Sequence, residues 1–361
     1  MTQINSVKRS EAASRICESP FEMTVFDTSI GSQNIGDQII MKAAYNELRS
    51  LFPQAHLWTL PTHDHFGPIG RKRLRHSLFS VACGTNLIHH EMPKKGHWRL
   101  PKRFPFPVGH YHPKKLALMA VGSNAAALSP SATSFLKKTL WSEVPVSARD
   151  VATQQMLSDS GLSVSHTGCV TMWNLPKDHA ERLPKEKADA VVVCLTGTRR
   201  APLHRIEFDI KLLEKLNSTY KKCFFWPQGQ VDLEYFLSLD RSGFQIIEHS
   251  LEAYETLLSS SDMSIDYVGA RLHGGILAMM HGRRPLVIKV DNRAADIGDS
   301  VNLPVIGVDD YAQIDVLLNE PRETRLSVPY DAIDAWRTRL VDAVEAVLPS
   351  DIDLKRFGGR G

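Results

Sequence analysis

The sequence predicts an α/β protein made of two Rossmann-like, doubly wound domains that face each other across a cleft. Its 361 residues are more than one hydrophobic core usually serves, so two domains are expected. Both halves alternate short apolar runs typical of buried strands with longer runs of helical spacing. Residues 174–188 between them are charged and proline-punctuated, which indicates a linker. We therefore expect a flexible N-terminus over 1–20, an N-terminal domain over 21–175 and a C-terminal domain over 186–348.

The composition argues against several classes of function. Hydrophobic residues make up 43% and charged residues 23% of the chain, which is typical of a globular protein. A net charge of +3, from 43 Lys and Arg against 40 Asp and Glu, is too balanced to indicate binding to nucleic acid. The five cysteines form no CxxC pair and no zinc spacing, so we expect reduced thiols and no metal. The sequence has neither a signal-peptide core nor a membrane-length apolar run, and we expect a cytoplasmic location.

The first predicted strand, over 22–28, leads through a glycine-containing turn into an amphipathic helix. A turn of this kind presents backbone N–H groups to an anionic ligand, so Asn34 and Gly36 are candidates for substrate binding. Asp37 is placed as the N-cap of the helix and is equally a candidate for catalysis. Neither a GxGxxG pattern nor a P-loop lysine accompanies the turn, so this motif alone does not identify the ligand.

The later strands of the first half also end in polar residues. Strands are predicted over 56–60, 77–86, 116–128 and 163–173, and one more ends at Ser147. Because the carboxyl ends of parallel strands share one edge of a sheet, these polar residues should face the cleft. The resulting candidates for substrate binding are Thr85, Asn86, Ser123 and Arg149. For Arg149, the alternative is a structural ion pair with Asp150.

The second half repeats the alternation of strand and helix. Strands are predicted over 189–198, 222–229, 244–249 and 263–268, and helices over 207–219, 231–239 and 251–260. The end of the strand at 222–229 makes Gln228 a further candidate for substrate binding. A long amphipathic helix is predicted over 328–348.

Residues 266–293 carry the strongest signal for a site. Arg271 and His273 precede an apolar helix that opens with two glycines, of which Gly274 is the first. Positive side chains and the positive end of a helix therefore meet in one place, which predicts an anion site. If the lead-in to the helix is extended, Arg271 and His273 point the same way. The alternative is a buried helix flanked by solvated arginines.

Two other stretches are rich in basic residues. The strand predicted over 285–290 delivers Lys289 to the same sheet edge, and Arg293 follows it, so both are candidates for substrate binding. Residues 91–113 mix prolines, aromatic residues and basic residues in a long loop. Loops of this length in a compact domain are commonly functional, and this composition suits a flap that faces a sugar or a partner.

Five short motifs together resemble one enzyme family. They are NIGD at 34–37, CGTN at 83–86, SARD at 147–150, TGC at 167–169 and ARLHGGILAMMHGRRPLVI at 270–288. In these motifs and their order, the chain resembles the polysaccharide pyruvyl transferases, which move pyruvate from phosphoenolpyruvate onto a sugar as a ketal. Where many members have an Asp-Pro pair, this chain has Cys169-Val170. The resemblance implies a two-domain fold like that of the GT-B glycosyltransferases.

The resemblance also implies roles for individual residues. Arg271 and His273 fall on the family's active-site Arg and His, and Arg149 falls on its second donor-binding Arg. Asp37 falls on the acidic residue of the N-terminal glycine-rich loop. We hypothesise that the two arginines hold the donor's anionic groups, with Lys289 or Arg293 adding to them. In the same hypothesis His273 protonates the donor's methylene carbon and Asp37 deprotonates the sugar, with no cofactor or metal besides phosphoenolpyruvate.

The expected acceptor is a sugar of an exopolysaccharide or of its lipid-linked precursor. A lipid-linked acceptor would bring the protein to the inner face of the membrane, where the basic segments 71–76 and 94–103 would contact the lipid surface. The alternative for both segments is a solvated surface. Two other functions stay open at this point. They are a GT-B glycosyltransferase that uses a nucleotide-sugar and a non-catalytic protein that binds polysaccharide through the 91–113 loop.

Overall fold

The computed structural model describes residues 20–92, 115–197, 202–239, 242–290 and 292–348, except for the side chains of Asn292 and Arg293. Several sequence predictions therefore fall outside the described residues. They are the flexible N-terminus except its last residue, nearly all of the 91–113 loop with its basic segment 94–103, and the side chain of Arg293. Within the described ranges, no helix is long and apolar enough to cross a bilayer.

The first domain is a parallel sheet with helices on both faces. Its elements are β1 (Phe21–Asp27), α1 (Ile35–Leu51), β2 (Ala55–Pro61), α2 (Pro68–His76), β3 (Phe79–Cys83), β4 (Leu116–Met119), α3 (Pro130–Thr139), β5 (Val146–Ala148), α4 (Val151–Asp159) and β6 (Val164–His166). Four strands run in the order β2-β1-β3-β4, and the parallel pair β5-β6 continues from β4 through a bridge between Val121 and Ala148. The strand order reverses between β1 and β3, so the loops after these strands open a crevice at the carboxyl edge of the sheet.

The second domain is a second parallel sheet of six strands. Its elements are β7 (Ala190–Cys194), α5 (Leu203–Thr219), β8 (Lys222–Phe225), α6 (Gln230–Leu237), β9 (Phe244–Ile246), α7 (Leu251–Leu258), β10 (Ile265–Gly269), α8 (Leu272–Met280), β11 (Pro285–Lys289), α9 (Asn292–Val301), β12 (Val305–Gly307) and α10 (Ile314–Asn319). The strand order is β12-β11-β10-β7-β8-β9, which is the dinucleotide-binding order and reverses between β7 and β10.

Alternate residues of the central strands enter different apolar clusters, because successive side chains of a strand point to opposite faces. Val191 and Val193 pack under α5, whereas Val192 and Cys194 pack under α8. In β1, Val25 and Phe26 divide between two clusters in the same way. The predicted fold of two Rossmann-like, doubly wound domains is thus confirmed.

Several predicted strands are longer than the observed ones, and the difference is greatest over 116–128 and 163–173. The run over 116–128 leaves the sheet after Met119, because Ala120 adopts a positive φ of 52°. The run over 163–173 is a strand only as far as His166. Gly168 then takes a φ of +70°, and a 3₁₀ turn at Val170–Met172 replaces the predicted continuation of the strand.

The C-terminal helix corrects the predicted domain boundary. Helix α11 (Tyr330–Glu345) lies within the range assigned to the second domain, yet its buried face packs into the apolar cluster of the first. Trp336 contacts Trp173 edge-on at 5.4 Å between ring centroids and donates from Nε1 to the carbonyl of Pro145 at 2.9 Å. The spacing of apolar residues predicts which face of a helix is buried, but it does not predict which sheet that face covers. The sequence alone therefore could not assign α11 to the first domain.

A buried ion pair fixes α11 on the first domain. Glu47 on α1 accepts from Arg337 Nε at 2.7 Å and from Nη2 at 2.8 Å, a two-point geometry that Arg and carboxylate groups favour. The Glu47 side chain is nearly inaccessible, and Asn174 Nδ2 also donates to it. Removing the guanidinium would therefore leave a buried carboxylate short of its cation.

We expect Arg337→Met to lower the free energy of unfolding by about 2–4 kcal/mol, because the carboxylate of Glu47 stays buried without its charge partner. Denaturant unfolding followed by tryptophan fluorescence measures the change. Arg325→Met is the matched control, since the Arg325–Glu323 pair is exposed and its loss should cost less than about 1 kcal/mol. Equal stabilities of the two variants would contradict the assigned role.

Candidate active site

The start of α8 lies at the centre of the second sheet. Strand β10 ends at Gly269, and Arg271 is the N-cap residue of a helix that begins at Leu272 and is buried through Met279. Arg271 has an extended backbone, but His273 belongs to the first turn of the helix, so the two side chains do not alternate as they would along a strand. The site lies where the strand order reverses, between β7 and β10, which is the position at which ligands bind in such sheets.

The Arg271 side chain is held by a carboxylate that the sequence reading missed. Asp232, in the first turn of α6 and fully buried, accepts from Arg271 Nε at 2.9 Å and forms an ion pair with Nη2. The same carboxylate accepts from the backbone N–H of Gly197 at 2.8 Å and of Gln228 at 3.2 Å. Asp232 is an acidic residue in a helix first turn, and the sequence offers no further signal that it pairs with Arg271.

Two hydrogen bonds to its carbonyl oxygen fix the backbone of Arg271. The hydroxyl of Tyr267 donates to this oxygen at 2.6 Å, and the N–H of Gly275 donates at 3.2 Å. Burial raises the pKa of Tyr267 well above its ordinary value, so the hydroxyl stays protonated and remains a donor. A guanidinium group has five N–H donors, and Asp232 accepts hydrogen bonds from the side of the group that carries Nε and Nη2. The other N–H groups of Arg271 can therefore donate to an anion.

His273 is buried and faces the first domain. Only 8% of the residue is exposed, and its Nε2 lies 3.6 Å from Sγ of Cys169, which follows β6. Thr171 donates from its hydroxyl to the same sulfur at 3.1 Å. The imidazole is therefore enclosed between the two domains, at the positive end of α8.

The turn before α1 differs from its prediction. Asn34, not Asp37, is the N-cap, and its side-chain oxygen accepts from the N–H of Gly36 at 3.1 Å. The N–H of Ile35 donates to the carbonyl of Gln228 at 2.9 Å, and that of Asp37 donates to the carbonyl of Asn34 at 3.0 Å. The first N–H groups of α1 thus have acceptors within the protein, and the predicted cradle of amides for an anion is not formed here. Asp37 is buried and accepts from the Ser32 hydroxyl at 2.5 Å.

Gln228 lies where the two domains meet. A Cβ on Gly36 would approach its Oε1 to 3.2 Å, and a Cβ on Gly274 would approach its Nε2 to 2.6 Å. The side-chain amide thus lies between the first turns of α1 and α8, and both glycines are needed for this approach. Gln228 is only 1% exposed, and its Nε2 has no hydrogen-bond partner among the described residues. A buried donor of this kind calls for a ligand or a water.

The first-domain candidates form a separate cluster around Arg149. This side chain is 1% exposed, donates from Nη2 to Asn86 Oδ1 at 2.6 Å, and has Nε 3.5 Å from the carboxylate of Asp150. Asn86 in turn donates to Asn124 at 2.5 Å. These two partners of Arg149 belong to the first domain, and within the described ranges no direct contact joins Arg149 to Arg271.

Three of the remaining candidates make hydrogen bonds within the fold, and Lys289 is exposed. Thr85 adopts a φ of 48° in the turn after β3, and its carbonyl accepts from the N–H of Gly122. Ser123 uses its hydroxyl to donate to the carbonyl of Ile88 at 3.1 Å. Gly274 accepts at its carbonyl from the hydroxyl of Tyr254 at 3.0 Å. Lys289 is exposed at the end of β11.

Comparison with solved structures identifies the fold. The UDP-GlcNAc 2-epimerase of Methanocaldococcus jannaschii, in complex with UDP-GlcNAc and UDP, superposes with a TM-score of 0.51 at 10% identity over 90% of this chain and 99% of its own. The S. aureus MnaA-UDP structure gives 0.48 at 13% identity over 92% and 100%. E. coli heptosyltransferase WaaC with ADP-2-deoxy-2-fluoro heptose gives 0.37 at 10% identity over 82% and 99%. The superposition on the epimerase of M. jannaschii, together with the two parallel sheets, shows that the chain has the GT-B-type fold of two Rossmann-like domains.

Sequence comparison identifies the family. A search of curated protein sequences found no match. The profile of the polysaccharide pyruvyl transferases, in contrast, matches residues 34–292. This range begins at the N-cap of α1, includes the Arg149 cluster and the Cys169–His273 contact, and ends just beyond β11. The chain therefore belongs to the polysaccharide pyruvyl transferase family.

Proposed function

We propose that the protein transfers pyruvate from phosphoenolpyruvate to two hydroxyl groups of one sugar and forms a cyclic ketal. The observation that carries the proposal is the Arg271–Asp232 pair at the start of α8, beside the enclosed imidazole of His273. It supplies a fixed cation, a helix N-terminus and a proton-transfer group within one turn of helix. Membership of the family supports the same reaction class.

The donor carries a carboxylate and a phosphate on a small frame, so it needs more than one positive or N–H-rich group. In this proposal, Arg271 and the first turn of α8 receive one anionic group. The Nε2 of Gln228, which has no hydrogen-bond partner in the described chain, donates to the same ligand. Arg149 meets the donor from the first domain. Its Nε faces the carboxylate of Asp150 and its Nη2 donates to Asn86, so in this proposal its remaining N–H groups meet the donor.

The chemistry uses His273 as the acid and Asp37 as the base. His273 gives a proton to the methylene carbon of phosphoenolpyruvate, which becomes a methyl group, while the first sugar hydroxyl bonds to the central carbon. Asp37 takes the proton of that hydroxyl. The second hydroxyl of the sugar then replaces the phosphate at the same carbon, so one C–O bond forms, one breaks and inorganic phosphate leaves. The proton of this hydroxyl passes to His273, which restores the acid, and Asp37 releases its own proton to the departing phosphate. Lys289, which is exposed at the end of β11, and Arg293 are proposed to attract the anionic donor by their charge.

A cavity between the domains suits the acceptor. It has a volume of ≈ 320 Å³ and is lined by Gln33, Gly229, Gln230, Leu233 and His249. Amide and imidazole groups beside an apolar side chain match a neutral, hydroxyl-rich ring. A Cβ on Gly229 would lie 4.0 Å from Arg271 Nη2, so the cavity adjoins the proposed donor site. We propose that a sugar of an exopolysaccharide, or of its lipid-linked precursor at the inner face of the membrane, binds here.

We expect His273→Gln and Arg271→Gln each to lower the rate of pyruvyl transfer by roughly 10²–10⁴-fold, because each removes a group that acts in the transition state. Phosphate release from phosphoenolpyruvate and mass spectrometry of the ketal on a panel of p-nitrophenyl hexosides measure the rate. His281→Gln, at the opposite end of α8, is the matched control and should keep the activity. Full transfer by either site variant would refute the proposal.

A second prediction concerns the donor alone. Phosphoenolpyruvate should raise the melting temperature of the protein, whereas UDP- and GDP-sugars should not. The reason is that a compound raises the melting temperature only if it binds the native state in preference to the unfolded state. Gln228→Met should weaken phosphoenolpyruvate binding about tenfold or more, since it removes one N–H donor to a charged group. Gln245→Met removes an exposed amide from β9, away from both proposed sites, and should not change the affinity. A shift by nucleotide-sugars alone would favour the glycosyltransferase alternative.

A further inference from the structure

The segment from β2 through α2 carries an uneven share of positive charge. Residues 55–76 contain four Lys and Arg against one Asp, a net charge of +3 that equals the net charge of the whole chain. Over the rest of the chain, acidic and basic residues balance in number. Helix α2 itself contains no acidic residue. The segment is therefore a place where the protein attracts an anionic partner.

The positive charge of α2 lies on one exposed side of the helix. Ile69, Lys72, Arg75 and His76 are all exposed. Each of the other three lies three or four positions from Lys72, so the four side chains share one face, which we call the α2 face. Leu74, on the opposite side, is buried in an apolar cluster of the first domain. The helix is thus fixed to its domain through one side and presents the basic side outwards.

A cation–π contact extends the basic surface from α2 onto the edge of the sheet. The guanidinium of Arg73 lies 3.9 Å from the ring centroid of Trp58. This tryptophan belongs to β2, the edge strand, and contacts His56 edge-on at 4.2 Å between ring centroids. The aromatic ring therefore orients a further arginine beside the α2 face.

Exposed apolar side chains lie at the end of this surface that is nearest to the cleft. Because α2 follows the carboxyl end of β2, its first turn lies towards the sheet edge that opens the crevice. Ile69 in this turn is 68% exposed, and Ile30 in the loop after β1 is 40% exposed. The loops after β1 and β2 are in contact, since a Cβ on Gly31 would approach Oδ2 of Asp64 to 2.7 Å and Cβ of His63 to 3.5 Å. Basic residues next to exposed apolar ones are typical of a surface that lies in the headgroup region of a bilayer.

The loop after β1 connects this surface with the proposed acceptor site. Gln33, two residues after Gly31, lines the cavity that the proposed function assigns to the sugar. A lipid surface against α2 would therefore hold a sugar on a lipid carrier close to this cavity.

We propose that the α2 face, together with Ile30, docks the protein on an anionic lipid surface. The basic side chains contact the lipid phosphates, and Ile30 and Ile69 enter the boundary between headgroups and acyl chains. The proposal rests on the proposed function for its purpose, which is to present a lipid-linked acceptor, whereas the docking itself requires neither substrate. Nucleic acid fits less well, because it would meet the charges but leave the two isoleucines in water.

Co-sedimentation with vesicles tests the docking. The protein should bind vesicles of phosphatidylcholine and phosphatidylglycerol in equal amounts, bind pure phosphatidylcholine vesicles much more weakly, and dissociate at high salt. The double variant Lys72→Gln, Arg75→Gln should bind the mixed vesicles roughly 30-fold more weakly, since each basic residue near such a surface accounts for about fivefold. The matched control Lys211→Gln, Lys222→Gln removes two exposed charges from the second domain and should bind like the native protein. Equal binding of the two double variants would overturn the proposal.

A second substitution separates a lipid surface from other polyanions. Ile69→Asn keeps every charge but removes the apolar group, so it should bind the mixed vesicles roughly tenfold more weakly, whereas Ile69→Leu should bind like the native protein. Native binding by Ile69→Asn would show that charge alone is recognised and would contradict docking on lipid. Tighter binding to double-stranded DNA than to the mixed vesicles would contradict it as well and assign the α2 face to nucleic acid.

The docking and the proposed function fail in distinguishable ways. The variant Lys72→Gln, Arg75→Gln should transfer pyruvate to soluble p-nitrophenyl hexosides at the native rate, because neither residue belongs to the proposed active site. If the native protein transfers pyruvate but does not bind the mixed vesicles, the docking is wrong and the proposed function stands. If it binds the vesicles through the α2 face but transfers no pyruvate, the proposed function is wrong and the docking stands.

Discussion

The carboxylate of Asp232 is the constraint on which the candidate site depends. It accepts hydrogen bonds from Gly197 after β7, from Gln228 after β8 and from Arg271 after β10, so it joins the ends of three strands of one sheet. A buried carboxylate is stable in this position because each oxygen is hydrogen-bonded and an arginine balances the charge. The reversal of strand order creates the crevice, and Asp232 determines which side chains face into it.

The domain interface extends the same network to the first domain. Gln228 receives one hydrogen bond from the start of α1 through its carbonyl and lies against Gly274 in the first turn of α8. The first N–H groups of α1 are hydrogen-bonded within the protein, so the positive end of α8 and the guanidinium of Arg271 are the groups in the candidate site that favour an anion. Residues of both domains line this candidate site.

The alternation of apolar strands and amphipathic helices was enough to predict both sheets, and the Arg271–His273 motif pointed to the start of α8 as a candidate site. What the sequence could not give are contacts between distant residues. Asp232 and Arg271 are 39 positions apart, and their pairing depends on the order of strands, which no local pattern encodes. The predicted N-cap of α1, Asp37, was wrong because Asn and Asp are both favoured at N-cap positions and the sequence offers both within four residues. The observed N-cap is Asn34. Helix α11 shows the same limit, because an apolar face does not specify its partner.

The position of α11 has a consequence for biosynthesis. The apolar cluster of the first domain includes Ile333, Trp336 and Leu340, which are translated after the whole of the second domain. The first domain is thus the earlier one to emerge from the ribosome but the later one to complete its core. Until α11 is made, the apolar surface of α1 and the first sheet that it covers stays open to water or to chaperones. The half of the chain that is synthesised first is therefore the half whose core receives its last residues at the end of synthesis.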